Sequence, residues 1–86
     1  MQVILEQSFL KSARRLPQSI KEKLGELLGL LETNPYHSLL HTKQLSGELA
    51  GFFSFRITRD WRVIFYFEDP ETIHVLEAGH RKDIYR

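Results

Sequence analysis

The chain of 86 residues contains no cysteine. That excludes a disulfide framework, a thiolate zinc site and a thiol nucleophile, so a small hydrophobic core must hold the fold alone. An excess of charge of one sign is also missing. Lys and Arg number 12 against 11 Asp and Glu, a formal net charge of +1, whereas a nucleic-acid-binding domain ordinarily carries a basic surplus. No apolar run approaches the ~18 residues of a membrane span, and the first residues lack the basic-then-apolar pattern of a signal peptide. A membrane partner is therefore not expected, and the cytoplasm is the expected compartment. The length leaves room for one domain, residues 1–86, and is too short for a doubly wound nucleotide-binding fold or a TIM barrel. A domain this small buries only about 60 to 65% of its unfolded surface, so its stability is expected to be modest or lent by a partner.

Residues 2–6 form a short apolar run suited to a strand, and Gln7-Ser8 offers a helix N-cap before Phe9 to Leu16. Pro17 then suits the first turn of a second helix. Its apolar residues Ile20, Leu24, Leu27, Leu28 and Leu31 make one core-facing stripe, and Asn34-Pro35 ends it. Gly25 and Gly29, four apart, are read as packing residues or as the landing site of a partner. From Pro35 to Gly51 the periodicity breaks into a long connection carrying His37 and His41. Without a carboxylate or cysteine to complete a site, these two histidines do not predict a metal, and no cofactor is expected.

The last third reads as three strands. Phe53, Phe55 and Ile57 alternate with Ser54, Arg56 and Thr58, which predicts a strand with one apolar and one polar face. Arg59-Asp60 is a turn, Trp61 to Phe67 a central strand, Glu68 to Glu71 a second turn and Thr72 to Ala78 a third strand, after which Gly79 releases the chain. The predicted fold class is α+β, in the order β-α-α-β-β-β, with a helical hairpin on one face of a mainly antiparallel sheet. In such a meander the Arg59-Asp60 turn and the end at Gly79 share one edge. Arg56, Arg59, Arg62, His80, Arg81, Lys82 and Arg86 then gather at that end, and Glu68, Asp69 and Glu71 at the other. A nearly neutral chain thereby presents a cationic patch suited to a polyanion. His80 and Tyr85, with Trp61 nearby, are expected to converge there with the arginines, the set needed to hold a phosphodiester, move its protons and stack a base. His74, amid apolar neighbours in a strand, is read as structural, and Trp61 and Tyr66 as core or sheet-surface residues.

The stretches Leu45 to Ile57, Asp60 to Phe65 and, most specifically, Gly79-His80-Arg81-Lys82-Asp83-Ile84-Tyr85 resemble the RelE/ParE superfamily of toxins of type II toxin-antitoxin systems, closest to the RelE and YoeB branches. The resemblance implies a RelE-like fold and a ribosome-dependent mRNA endoribonuclease. In such enzymes the 2′-hydroxyl attacks the adjacent phosphate, giving a 2′,3′-cyclic phosphate, and translation stops. The implied partners are a cognate antitoxin, the ribosome and mRNA, with DNA reached only through the antitoxin complex. Carried over residue by residue, Arg62 stabilises the transition-state phosphate, with Arg56 beside it on the polar face of its strand. Arg81 holds the scissile phosphate, Tyr85 stacks or transfers a proton, and the adjacent His80 is a candidate acid or base. Lys43, Arg59, Lys82 and Arg86 are the expected RNA-binding cations. Two departures from the family pattern stand out: Phe53 and Phe55 occupy places where RelE carries lysines, and Lys43 stands where YoeB carries a glutamate base. Glu48 or His41 is then the candidate general base. Two further readings share the fold: a ParE-like toxin that binds DNA gyrase without cleaving RNA, and a catalytically decayed antitoxin-binding protein.

Overall fold

In the computed structural model, which describes residues 1–85, the apolar stripe of the long helix decides which side of the sheet is the core. That helix, α2 (Gln18–Thr33), follows Pro17 and buries Leu24, Leu27 and Leu31, with Ile20 and Leu28 half-buried beside them. It pairs with α1 (Gln7–Ala13), which buries Phe9. Beneath them lies a five-stranded sheet formed by β1 (Gln2–Leu5), β2 (Lys43–Gln44), β3 (Phe53–Arg56), β4 (Trp61–Asp69) and β5 (Thr72–His80), in the order β1-β5-β4-β3-β2. The predicted antiparallel meander is β3-β4-β5. Strand β1 lies parallel to β5, because the two helices carry the chain back across the sheet before β5 is laid down. Phe55, Val63, Phe65, Ile73 and Val75 point at the helices and are fully buried.

The opposite face departs from expectation. Ser54, predicted on the polar face of β3, is only 1% exposed, and Ile64 beside it on the central strand β4 is 5% exposed. Two elements that sequence periodicity does not reveal lie against this face. One is α3 (Arg81–Ile84), which begins where β5 ends at His80, so the chain is not released at Gly79. Its Ile84 is buried above Gly79, where an added Cβ would sit 3.8 Å away. The other is the segment from Leu45 to Phe52, closed by the Leu45 N–H donating to the Phe52 carbonyl at 2.9 Å. Its single turn of 3₁₀ helix at Gly47–Leu49 is framed by two glycines at positive φ, Gly47 at 66° and Gly51 at 94°. Phe52 then packs edge-on against Tyr66 on this outer face. Gly25 and Gly29 correct another expectation: a Cβ at either would meet nothing within 4 Å, so neither is needed for close packing.

Two β-bulges shape the sheet. An extra residue, Leu76, sits in β5 where Ile64 pairs with Glu77 and Phe65 with Val75. A bulge leaves backbone groups outside the ladder, and two serines of α1 take them up. Ser8 Oγ donates to the Leu76 carbonyl and Ser12 Oγ accepts from the Ala78 N–H. Ser8 is therefore spent on the sheet and does not cap the helix, which starts two residues earlier than Phe9, at Gln7 behind Glu6, with no side-chain cap. The second extra residue is Glu68 in β4, and its carboxylate reaches His74 Nε2 at 2.7 Å while Glu6 takes His74 Nδ1 at 2.6 Å. Tyr66 stacks on the imidazole, with 4.9 Å between ring centroids and 7° between planes. His74 thus ties β1, β5 and β4 together.

The hydrogen bond to Glu6, then that to Glu68, raises the His74 pKa above its ordinary 6.5. A group whose folded pKa is raised contributes stability that is complete below the unfolded value and is lost as pH rises through the folded one. Wild-type stability minus that of His74→Gln should therefore be larger at pH 5.5 than at pH 9, as read by urea unfolding at both pH values; an equal difference would contradict the clamp. Gly51→Ala should lower stability by about 1–2 kcal/mol through backbone strain alone, since L-residues pay this at positive φ, and the same urea series measures it.

Candidate functional site

The outer face of the sheet carries a hollow of about 230 Å³ lined by Lys43, Leu45, Ser46, Leu49, Arg62 and Tyr85, with Gln44 at its edge. Each polar side chain arrives on a different element. Lys43 comes from the edge strand β2, in register with Ser54, and Arg62 from the central strand β4. Tyr85 closes α3, and Leu45 and Leu49 come from the segment framed by the two positive-φ glycines. Sequence reasoning passed over Leu45, Ser46 and Leu49 as lining residues, although the segment holding them is part of the family resemblance.

Arg56 stands directly opposite Arg62 in the β3–β4 ladder, so two cations share one face and one register position. Like charges directly opposed across two strands are destabilising. Arg62 Nε and one of its terminal nitrogens donate to the Arg59 carbonyl at 3.1 and 2.9 Å, which holds the guanidinium in place. Arg56 Nε is buried without a hydrogen-bond partner among the described residues, and so is the Tyr85 hydroxyl. Buried polar atoms left unpaired cost about 1–3 kcal/mol each. Tyr85 lines the hollow and Arg56 a separate cavity against α2, so a polar ligand in either depression would meet a residue with an unsatisfied buried atom.

The expected convergence of His80 with this group does not occur. His80 pairs with Trp61, and the two rings meet edge to face at 5.2 Å. Trp61 belongs to the helix-facing set of β4, so His80 lies on the other side of the sheet, in a hollow with Ser12 and Arg15. Its Nδ1 accepts the Lys82 N–H as the N-cap of α3. The reason is strand parity: β5 continues through His80, and alternation sends that side chain to the face opposite Gly79, which pairs with Arg62. Arg81 lies near the Arg59-Asp60 turn. Its N–H donates to the Asp60 carbonyl at 2.8 Å and its Nε stands 3.4 Å from an Asp60 carboxylate oxygen. Both partners are substantially exposed, so this ion pair is weak and easily exchanged for another anion.

The remaining candidates spread out. Glu48 is exposed on the 3₁₀ turn and does not line the hollow. His41 and Arg59 line a separate cavity against α2, and Lys82 is exposed on α3. Arg86 lies outside the described residues. The charge placement predicted from topology is present: the cationic end gathers around the Arg59-Asp60 turn, and Glu68, Asp69 and Glu71 lie at the far end of the same strands. No helix among the described residues is long and apolar enough to cross a membrane.

Three comparisons place this architecture. The fold matches the YafQ structure from E. coli at a TM-score of 0.82, with 18% identity over 99% of this chain and 98% of that one. It matches the YoeB/ParE toxin from Agrobacterium tumefaciens at 0.77, with 21% identity over 94% and 99%. It also matches a chain of the RelBE2 toxin-antitoxin complex from Mycobacterium tuberculosis at 0.75, with 28% identity over 93% and 96%. No curated protein sequence matches the chain. The model of the ParE toxin of type II toxin-antitoxin systems, however, matches residues 3–85. Nearly the whole chain is covered, including the α3 segment that completes the hollow, and the protein belongs to this toxin family within the RelE/ParE superfamily.

Proposed function

We propose that this toxin is an mRNA endoribonuclease acting on the ribosome, and that the hollow around Arg62 and Tyr85 holds the scissile phosphate. The observation that carries the reading is the Arg62 guanidinium, fixed by the Arg59 carbonyl, beside Lys43 and the unpartnered Tyr85 hydroxyl. A phosphate in the hollow pairs with Arg62, and the bonds strengthen as the phosphorane gathers charge. In the reaction the 2′-hydroxyl oxygen bonds to phosphorus and the bond to the 5′-oxygen breaks. The products are a 2′,3′-cyclic phosphate and a 5′-hydroxyl. The proton of the attacking hydroxyl needs an acceptor and the leaving oxygen needs a donor. Besides Arg62, the titratable side chains lining the hollow are Lys43 and Tyr85. Tyr85 is therefore assigned to protonating the leaving oxygen, and Lys43, as the free amine, to accepting the first proton. Arg81 joins the phosphate contacts by exchanging Asp60 for it. His41 and Glu48, the other candidate bases, stand outside the hollow.

A cognate antitoxin is the second proposed partner, as in the toxin-antitoxin complex from M. tuberculosis. An apolar groove between α1 and α2, lined by Leu10, Ala13, Leu24, Gly25 and Leu28, suits an amphipathic segment that folds as it binds. The open space around Gly25 is consistent with this landing role. A second reading, binding of DNA gyrase without RNA cleavage, is favoured by one observation: among the described residues, no imidazole or side-chain carboxylate lines the hollow.

Expression without antitoxin should arrest growth and yield discrete cuts in translated mRNA, mapped by primer extension. Arg62→Ala should reduce cleavage by about 10²-fold or more and Tyr85→Phe by about 10²-fold, with growth restored in both. Glu71→Gln, at the far end of the sheet, should leave cleavage unchanged. Growth arrest with intact mRNA and inhibited supercoiling would transfer the protein to the gyrase reading.

A further inference from the structure

A larger cavity, of about 570 Å³, lies between α2 and the end of β3. Its apolar walls are Leu27, Leu30 and Ile57, with Leu39, 61% exposed, among its lining residues. Three cations, Lys23, Arg56 and Arg59, face one carboxylate, Glu26. His41 completes the lining from a left-handed backbone conformation, φ 49° and ψ 45°, that a side-chain-bearing residue adopts at a cost.

Two features connect this cavity with the hollow on the outer face. Arg56 lines the cavity, while its register partner Arg62 lines the hollow, and opposed residues of such a pair stand about 5 Å apart at Cβ. Strand β2 pairs with Phe53 and Ser54 only, so Arg56 lies beyond the last pair of that ladder. The cationic surplus calls for an anion, and the buried, unpartnered Arg56 Nε calls for an acceptor. A small inorganic anion would leave the leucine wall wet. A nucleotide uses both, with its phosphate on the arginines and its base against the aliphatic wall.

We infer that the cavity between α2 and β3 is a second nucleotide subsite, binding the base and phosphate of a nucleotide adjacent to the bond held at Arg62 and Tyr85. The inference rests on the ribonuclease reading and extends it to a second residue of the same RNA strand. His41, whose left-handed backbone ends the Ser38–Leu40 turn with its N–H donating to the Ser38 carbonyl, then borders a bound base.

The test uses the full chain, labelled with ¹⁵N, titrated with a 2′-O-methyl RNA trinucleotide that lacks the attacking hydroxyl. Amide shifts are expected in both regions: Leu30, Leu39 and His41 for the cavity, Lys43, Arg62 and Tyr85 for the hollow. Leu39→Asp, at an exposed side chain, should weaken trinucleotide binding about tenfold, the size of one lost base contact, and leave the shifts of the hollow in place. His41→Gly should weaken binding without lowering the unfolding midpoint, because glycine accepts the left-handed conformation; a destabilised variant with unchanged affinity would make His41 structural and count against the subsite. Shifts confined to the hollow would overturn the subsite and leave the ribonuclease reading standing. No shift in either region would overturn both. Shifts in the cavity on adding the cognate antitoxin, and none there with RNA, would assign it to a protein partner and overturn the proposal.

Discussion

Two arginines, Arg56 and Arg62, stand directly opposite each other in the sheet, and the packing of the buried face holds them in that register. Arg56 and Arg62 are neighbours because β3 and β4 pair in one register, set by Phe53 against Phe65 and Phe55 against Val63 on the buried face. A slip of one residue would turn those aromatics to the outer face, so the core specifies the cation pair on the reverse side. The Arg59 carbonyl then fixes Arg62, and Arg56 keeps a buried donor without a partner. Arg62 lines the hollow and Arg56 the cavity against α2, so one register position supplies a cation to each depression.

Net charge is a poor guide here because strand direction, not composition, distributes it. The meander places the Arg59-Asp60 turn and the end of β5 at one end, and the Glu68 to Glu71 turn at the other. Separation alone would leave an acidic cluster repelling itself. Glu6 and Glu68 share His74 between them, and the Tyr66 ring lies flat against the imidazole. The bulge at Glu68 is what brings that carboxylate within reach, since an extra residue on one strand re-aims its side chain. Each end of the sheet therefore carries a charge arrangement that only its backbone geometry makes tolerable.

The helical stripe, the meander and the sorting of charges were legible in the sequence because each rests on a period or a turn that neighbouring residues report. What escaped was set by contacts distant along the chain. Ser8 looked like a helix cap but is taken by a bulge carbonyl 68 positions away. Strand β2 has two residues, too few for alternation to show. The covering of Ser54 and Ile64 depends on a four-residue helix and on Gly47 and Gly51 at positive φ, none of which leaves a periodic trace. The placement of His80 failed for a simpler reason: reading β5 as ending at Ala78 removed the alternation that sends His80 to the other face.

That placement constrains the chemistry. An imidazole separated from the hollow by the sheet has no direct path to a group bound there, and its Nδ1 already accepts the Lys82 amide of the turn that leads to Tyr85. His80 is thus better suited to setting where α3 starts, and through α3 where the Tyr85 ring lies, than to moving a proton. If the hollow acts on RNA, its proton transfers fall to Lys43 and Tyr85, and Arg62 supplies the charge stabilisation. On that reading electrostatics and positioning carry most of the barrier lowering. A translating ribosome that presents mRNA in a fixed strand conformation would supply the positioning that 86 residues cannot build.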